Sequence, residues 1–597
     1  MIAPETKFHF SPRPNRAHEI QWREWGEEAF REAKESGKPL LLSLSAVWCH
    51  WCHVMDETSY SDEGVIGFIN QHFIPVRVDN DQRPDVNARY NMGGWPTTAF
   101  LTPEGEILAG ATYVPPDQMK ELLPKVNVHW QSNREEVTNK ALELRQGRLT
   151  AMSGERGELS PGIFDDILRS VVENYDPVFG GFGEAPKFPH TDAIDLLLYA
   201  YRRNRDPDLL HMARKTLEFM SRGGVFDHEW GGFFRYATRR DWSEPHYEKM
   251  LEDNAKLLQN LLALYRATGD GAHAEAARRT IEYLEWKLRD HERGFFYGSQ
   301  DADEEFYKLS NEGRERGEEP YIDRTCYMSW TAMMVSAYLE ASWTLDRPES
   351  RDAAVRALDF LWNECRDPER GMYRFHDGTA PRVLGLLGDQ AHTAKALLDA
   401  HEVTGDSKYF ERAIELSRLM LDRFVDRENG GFYDVWDEVE DVGRLRDRQK
   451  SIQDNTVCAE VFHRLHHLTR EEDYRTIAQG TLEAFVSAYP HMGYFAAGYA
   501  RQVDTLLNPP AEVNIVGDST STAELQRAAL SLDVPSRVMQ LLDPTRDGDR
   551  LEGLSLPPEP APAAYACFGT MCSAPVTQPE ALLEAVREMQ QSAARPA

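Results

Sequence analysis

The spacing of hydrophobic and polar residues changes twice along the chain. Within residues 21–35, Trp22, Trp25, Ala29, Phe30 and Ala33 recur at helical spacing, and Gly37-Lys38-Pro39 ends the segment. The unbroken apolar run at 39–45 then reads as a strand buried on both faces. Residues 73–79 and 97–101 read as two more strands, the second between Gly93-Gly94-Trp95-Pro96 and the turn Pro103-Glu104-Gly105. In the middle of the chain the period becomes helical. Helices opened by Glu252-Asp253-Asn254-Ala255, Gly388-Asp389-Gln390-Ala391 and Gln453-Asp454-Asn455-Thr456 carry small and aliphatic residues on most sides, and more polar helices at 272–289 and 408–423 alternate with them. Beyond Leu507-Asn508-Pro509-Pro510, strand and helix alternate again: strands at 512–517 and 537–542, helices at 522–532 and 579–591, and a Pro-rich linker at 557–562.

A motif of Asp, three residues, Gly and then aromatic positions punctuates the helical region. It opens at Asp176, Asp227, Asp290, Asp367 and Asp426, and a copy lacking the Asp covers 489–495. Such recurrence is the signature of a repeat architecture. Alternating inner and outer helices then close into an (α/α)6 toroid with its glycine-aromatic turns gathered around one mouth. The expected fold class is therefore multidomain, α/β plus all-α, with units at 1–130, 131–507 and 508–597.

The mouth of the toroid supplies the pocket candidates His190, Trp230, Trp242, His246, Glu248, Asp253, Asn254, Asp389, Gln390, Asp454 and Asn455. Asp253, Asp389 and Asp454 equally suit helix capping, and the Gly and aromatic residues suit turn and core roles. His246 and Glu248, two residues apart, suit proton transfer. Glycoside cleavage uses paired carboxylates and epimerisation uses acid/base histidines; both residue types are present.

The first unit carries Cys49-His50-Trp51-Cys52 directly after a strand and at the start of a helix. A cysteine there meets unpaired N–H groups and the positive end of the helix dipole, which favour thiolate, and His50 adds charge when protonated. Cys52, one turn on, can resolve a mixed disulfide at Cys49. The order strand, CxxC, helix, strand, Pro, strand, turn, strand is that of a thioredoxin-like domain, in which Pro96 takes the cis-proline place facing the dithiol. Three other readings stay open. Cys49 to His53 also spells the haem-attachment pattern C-x-x-C-H, the two cysteines and two histidines form a possible metal set, and the domain could have lost redox function.

The formal charge of −31 argues against nucleic acid and anionic lipid as partners. The first twenty residues lack the apolar stretch of a secretory signal, and no run reaches the length of a membrane span, so a cytoplasmic location is expected. Seven cysteines in 597 residues are not a disulfide scaffold. Cys326, Cys365 and Cys458 read as core residues, and Cys567 and Cys572 as free or occasionally paired thiols. No cofactor and no metal are expected.

Several linked motifs resemble the spermatogenesis-associated thioredoxin-like family: residues 49–55, Val78-Asp79, residues 83–86, Gly93-Gly94-Trp95-Pro96, residues 100–103, Thr112-Tyr113, residues 185–190, residues 245–251 and the Cys567/Cys572 region. The resemblance spans nearly the whole chain. It implies a thioredoxin-like domain followed by a six-hairpin toroid similar to sugar-processing enzymes, and it implies no established reaction. The link from Tyr90 to Gly93 is short for the family, and Gln300-Asp301-Ala302-Asp303-Glu304 opens an unusual acidic insert. Three functions follow as expectations. One is a thiol–disulfide oxidoreductase using Cys49, Cys52 and Pro96 with a redox partner protein or small thiol. The second is a carbohydrate-active enzyme of epimerase or hydrolase type in the toroid. The third is a non-catalytic binding module.

Overall fold

The computed structural model describes residues 8–152, 156–437, 442–568 and 571–593. Of the N-terminal segment that lacks an apolar stretch, residues 1–7 lie outside the described ones. The first unit is built on four strands in the order Ile74–Asp79, Leu40–Ser45, Thr97–Leu101, Ile107–Ala111; the first pair is parallel and the others antiparallel. Every residue of Leu40–Ser45 is buried, as its apolar run requires for a strand covered on both faces. The first helix is shorter than its hydrophobic spacing suggests and covers Glu27–Ser36. Trp22 and Trp25 precede it because Trp25 is drawn into a cluster with Phe30 and Tyr90, and Arg23 pairs its backbone with Pro75 and Arg77 of the edge strand.

Helix Pro116–Met152 runs through position 130 and changes direction at Asn133, whose backbone is non-helical. Trp130 pins it to the sheet unit by donating to the Gly37 carbonyl at 3.0 Å.

Among the described residues, six helix pairs form the toroid. The inner helices are Thr191–Asn204, Leu251–Thr268, Met328–Thr344, Leu387–Thr404, Ile452–Thr469 and Ala497–Leu507, each packed on the next, and the last returns to the first. Outer helix Pro161–Glu173 packs on Ala497–Leu507, so the beginning and end of the region close the ring together. The Asp of each turn caps the following N–H groups: Asp227 Oδ1 accepts from Glu229 and Trp230, and Asp426 Oδ1 from Glu428 and Asn429. A lysine neutralises several of them from below. Lys187 reaches Asp176, Lys249 reaches Asp227 and Lys450 reaches Asp426, at 2.6–2.8 Å.

The C-terminal unit repeats the connectivity of the first. Its strands lie in the order Arg537–Leu542, Ala511–Val516, Ala563–Phe568, Met571–Cys572, again parallel, antiparallel, antiparallel. Helix Ala523–Leu530 links the parallel pair, and the third strand again follows directly on a cis X–Pro bond, Ala561–Pro562 here and Trp95–Pro96 in the first unit. Cys567 and Cys572 are joined in a disulfide, the paired one of the two states expected. The antiparallel register sets them directly opposite one another, a relation that a five-residue spacing alone does not reveal. Among the described residues, no helix is long and apolar enough to cross a membrane.

Candidate functional site

Cys49 is the N-cap of helix His50–Glu57, and its Sγ accepts the Cys52 N–H at 3.2 Å. Cys49 and Cys52 are bonded to each other. The site lies where the sheet unit meets the toroid: Ala46, Trp48, Cys49 and Cys52 belong to the same apolar cluster as the toroid core. Cys49 is only 4% exposed, whereas its neighbour Trp51 is 47% exposed and packs beside Tyr113. The Trp48 indole donates to Asp81 at 2.6 Å, and toroid residue Arg374 donates to the Asp81 carbonyl at 2.8 Å. Arg89, from the first unit, holds toroid residue Asp434 through two bonds at 2.7 and 3.1 Å. Gly105 meets the loop at Gly443 so closely that a Cβ there would fall 2.3 Å from the Gly443 Cα.

Acidic groups crowd this junction. Burial and then the charge of Asp323 push Asp79 up to about 7, and burial raises Asp81, Asp301 and Asp323. His53, one residue beyond Cys52, has Nδ1 3.6 Å from Asp301 Oδ2, and burial lowers it to about 4. Its imidazole is therefore neutral at physiological pH.

The sequence candidates divide by role. Asn254, Gln390 and Asn455 are one device used three times. Each amide oxygen accepts a backbone N–H of a glycine-aromatic turn, from Phe233, Met372 and Phe432, at 2.6–2.8 Å. Each amide N–H group returns to the carbonyl of the same turn residue and to that of the residue four positions earlier on its own chain. Trp242 is wholly buried and donates to the Phe179 carbonyl; Trp230 donates to Asn311 and packs on Phe306. Asp389 is engaged by Arg374 and the Ser329 N–H. His190 sits edge-on to Tyr494 and Phe495, and burial lowers it to about 4. His246 stacks on Tyr236 with Nδ1 3.5 Å from Glu248 Oε1. Burial raises Asp253 to about 7, with Glu252 adding to the shift, and burial raises Asp454 to about 6. Pro96 is buried behind Trp95, whose ring meets Trp48 edge-on at 5.7 Å.

None of the eleven pocket candidates lines the large cavity. That cavity, about 580 Å³, runs along the toroid axis and is closed at one end by residues 530–538 of the C-terminal unit. Its wall includes Lys256, Gln259, Glu340, His392, Lys395 and Glu460 from the inner helices. Its charges are mostly paired, as in Arg501–Asp195 and Arg464–Asp399, both at 2.6 Å. Burial, with Lys256 and Lys395 beside it, lowers His392 to about 3, so a neutral imidazole faces the space. The signal for this lining was present in the sequence as polar residues recurring on one side of otherwise apolar helices, but the choice of side needs the ring.

Comparison with known proteins fits this architecture. Residues 13–147 match a family model described as "Protein of unknown function, DUF255", and residues 190–318 and 316–453 match the N-acylglucosamine 2-epimerase model. The chain is 27% identical over 710 residues to spermatogenesis-associated protein 20 of Homo sapiens, covering 94% of this chain and 89% of that one. It is 28% identical over 115 residues to the disulfide bond reductase DsbH of Chlamydia pneumoniae, which covers 17% of this chain and 69% of that one. Among solved structures, a sugar epimerase from a ruminal bacterium aligns with a TM-score of 0.47 and 16% identity, over 58% of this chain and 96% of that one.

Proposed function

The chain belongs to the spermatogenesis-associated thioredoxin-like family, and on that premise we propose that it is a thiol–disulfide oxidoreductase working at the junction of its first unit and its toroid. The observation that carries this reading is Cys49 at a helix N-cap with a backbone N–H on its sulfur, bonded to Cys52 one turn on. That donor and the helix dipole favour the thiolate. In the reductive direction the Cys49 thiolate attacks a substrate disulfide, and the distant substrate sulfur leaves as thiolate. Cys52 then attacks Cys49 Sγ, forming the Cys49–Cys52 bond and releasing the second substrate thiolate. The substrate gains two electrons and the pair loses two. Pro96 lies beside the reacting sulfurs in this reading and presents backbone to the incoming partner. Because both cysteines are nearly covered, the substrate is a small disulfide compound or a disulfide-bearing partner segment that enters along the exposed Trp51 rim. The similarity to a protein named disulfide bond reductase supports the same chemistry, and the cytoplasmic setting expected from the sequence belongs to this reading.

The test is the reduction potential of the pair and the pKa of Cys49, with Cys49→Ser as control. A reversible couple with a thiolate well below about 8.5 supports the proposal. A pair that neither cycles nor ionises early overturns it.

A second reading, a carbohydrate-active toroid, rests on the axial cavity, whose volume suits a sugar-sized ligand. It also draws on the match to the epimerase model. Saturable stabilisation by N-acetylglucosamine or cellobiose, lost in His392→Ala, supports it; no shift with either sugar removes it.

A further inference from the structure

The second disulfide, Cys567–Cys572, lies outside the chemistry proposed above. Cys572 stands exposed on the edge strand, while Cys567 is buried beside the central strands. Behind the buried sulfur runs a chain of side-chain hydrogen bonds. Arg550 donates to Gln540 Oε1, Gln540 Nε2 donates to Asn514 Oδ1 at 2.7 Å, and Asn514 Nδ2 faces Cys567 Sγ at 3.6 Å. Asn514 and Gln540 are in register on adjacent strands, 3% and 2% exposed.

The direction of this chain is fixed by its first member. A guanidinium only donates, so Gln540 gives Arg550 its oxygen and turns its N–H groups to Asn514; Asn514 in turn aims its own N–H groups at the sulfur. A disulfide sulfur is a weak acceptor, whereas a thiolate accepts strongly. Two amides buried in an apolar sheet are costly unless their bonds are made. The last donor therefore meets a strong acceptor only when the disulfide is open. Glu512, directly opposite Cys567 in the sheet, is the acidic group nearest in register, and Arg470 and His467 hold it at 2.5 and 2.7 Å.

We propose that Cys567–Cys572 is a second redox site, opened by a low-molecular-weight thiol that attacks the exposed Cys572 sulfur while Cys567 leaves as a thiolate held by Asn514. The attacking thiolate forms a bond to Cys572 Sγ, the Cys567–Cys572 bond breaks, and its electron pair passes to Cys567. A second thiolate attacks the small thiol's sulfur in this mixed disulfide, releasing Cys572 as a thiolate and carrying away the oxidised thiol dimer. Two thiols lose two electrons, the disulfide gains them, and the two thiol protons end on the two cysteines. This site stands independently of the reading of Cys49 and Cys52.

The experiment uses the full-length oxidised protein and reduced glutathione at millimolar concentration. Acid quenching, differential alkylation and peptide mapping read Cys567 and Cys572 separately from Cys49 and Cys52. The expected result is opening of the pair with the transient glutathione adduct on Cys572. Opening is expected to slow roughly tenfold or more in Asn514→Leu, because a hydrogen bond to a charged acceptor is lost. Gln540→Leu, which frees Asn514 to turn away, is expected to slow it as well and carries the test if Asn514→Leu does not fold. A pair that resists glutathione, an adduct on Cys567, or wild-type opening rates in folded variants overturns the proposal.

Discussion

The guanidinium of Arg235 lies 4.2 Å from the centre of the Trp48 ring and 5.3 Å from that of Trp95. One toroid side chain thus covers the tryptophan before Cys49 and the tryptophan before Pro96. Arg235 is held in turn by its backbone N–H, which donates to the Glu248 carbonyl at 2.9 Å. Arg235→Ala is expected to loosen this cover and speed alkylation of reduced Cys49 by roughly tenfold, the worth of a desolvated cation–π contact. Timed iodoacetamide labelling with peptide mapping reads it; an unchanged rate means that the cover does not limit access.

The Arg77–Asp56 pair is buried on both sides and bidentate, at 2.8 and 2.9 Å, and it ties a strand to the helix that carries the dithiol. Arg77→Met leaves the Asp56 charge buried with its main partner gone, so a loss of about 3–5 kcal/mol is expected. Adding Asp56→Asn is expected to recover part of it. Urea midpoints of the two single variants and the double variant give the coupling directly.

Asn455→Ala removes the bonds to the Phe432 N–H, the Phe432 carbonyl and the Ser451 carbonyl. Orphaning these groups inside the ring is expected to cost about 2–4 kcal/mol. Asn254→Ala, the same device on the opposite side of the ring, is expected to cost a similar amount. Thermal midpoints compare them; a loss in neither variant contradicts the stapling role.

Asp79 titrates near 7 in the folded chain and from 3.8 when unperturbed, so the folded form holds its proton over that interval while the unfolded form releases it. Stability from this group is therefore full below about pH 4 and is lost as pH rises towards 7. Relative to Asp79→Asn, the wild type is expected to lose stability across that window and then run parallel above it. Chemical denaturation at several pH values checks this slope, which vanishes if Asp79 is ionised in the folded form throughout.

Much of this architecture was legible in the residues. The all-apolar run before Cys49 fixed a central strand, since only a strand covered on both faces tolerates it, and the five Asp-x-x-x-Gly turns announced a repeating helical ring. Trp22 and Trp25 misled because tryptophan at helical spacing scores the same whether it packs from a helix or from an extended segment leading into one. Asn254, Gln390 and Asn455 were visible as a set at helix starts, but their partners are backbone groups roughly twenty residues away, and the amide pattern carries no mark that distinguishes stapling from ligand binding.

Sequence by itself determined the elements, the dithiol at a helix start and the repeat, because propensity, capping and periodicity act within a few turns of chain. Only the tertiary structure decided which faces meet. It brought Arg235 over Trp48, turned the polar sides of six inner helices towards one axis, and set Cys572 opposite Cys567 in register. Those relations depend on the closing of the ring and the alignment of strands, which sum weak contacts over hundreds of residues and leave no local signature.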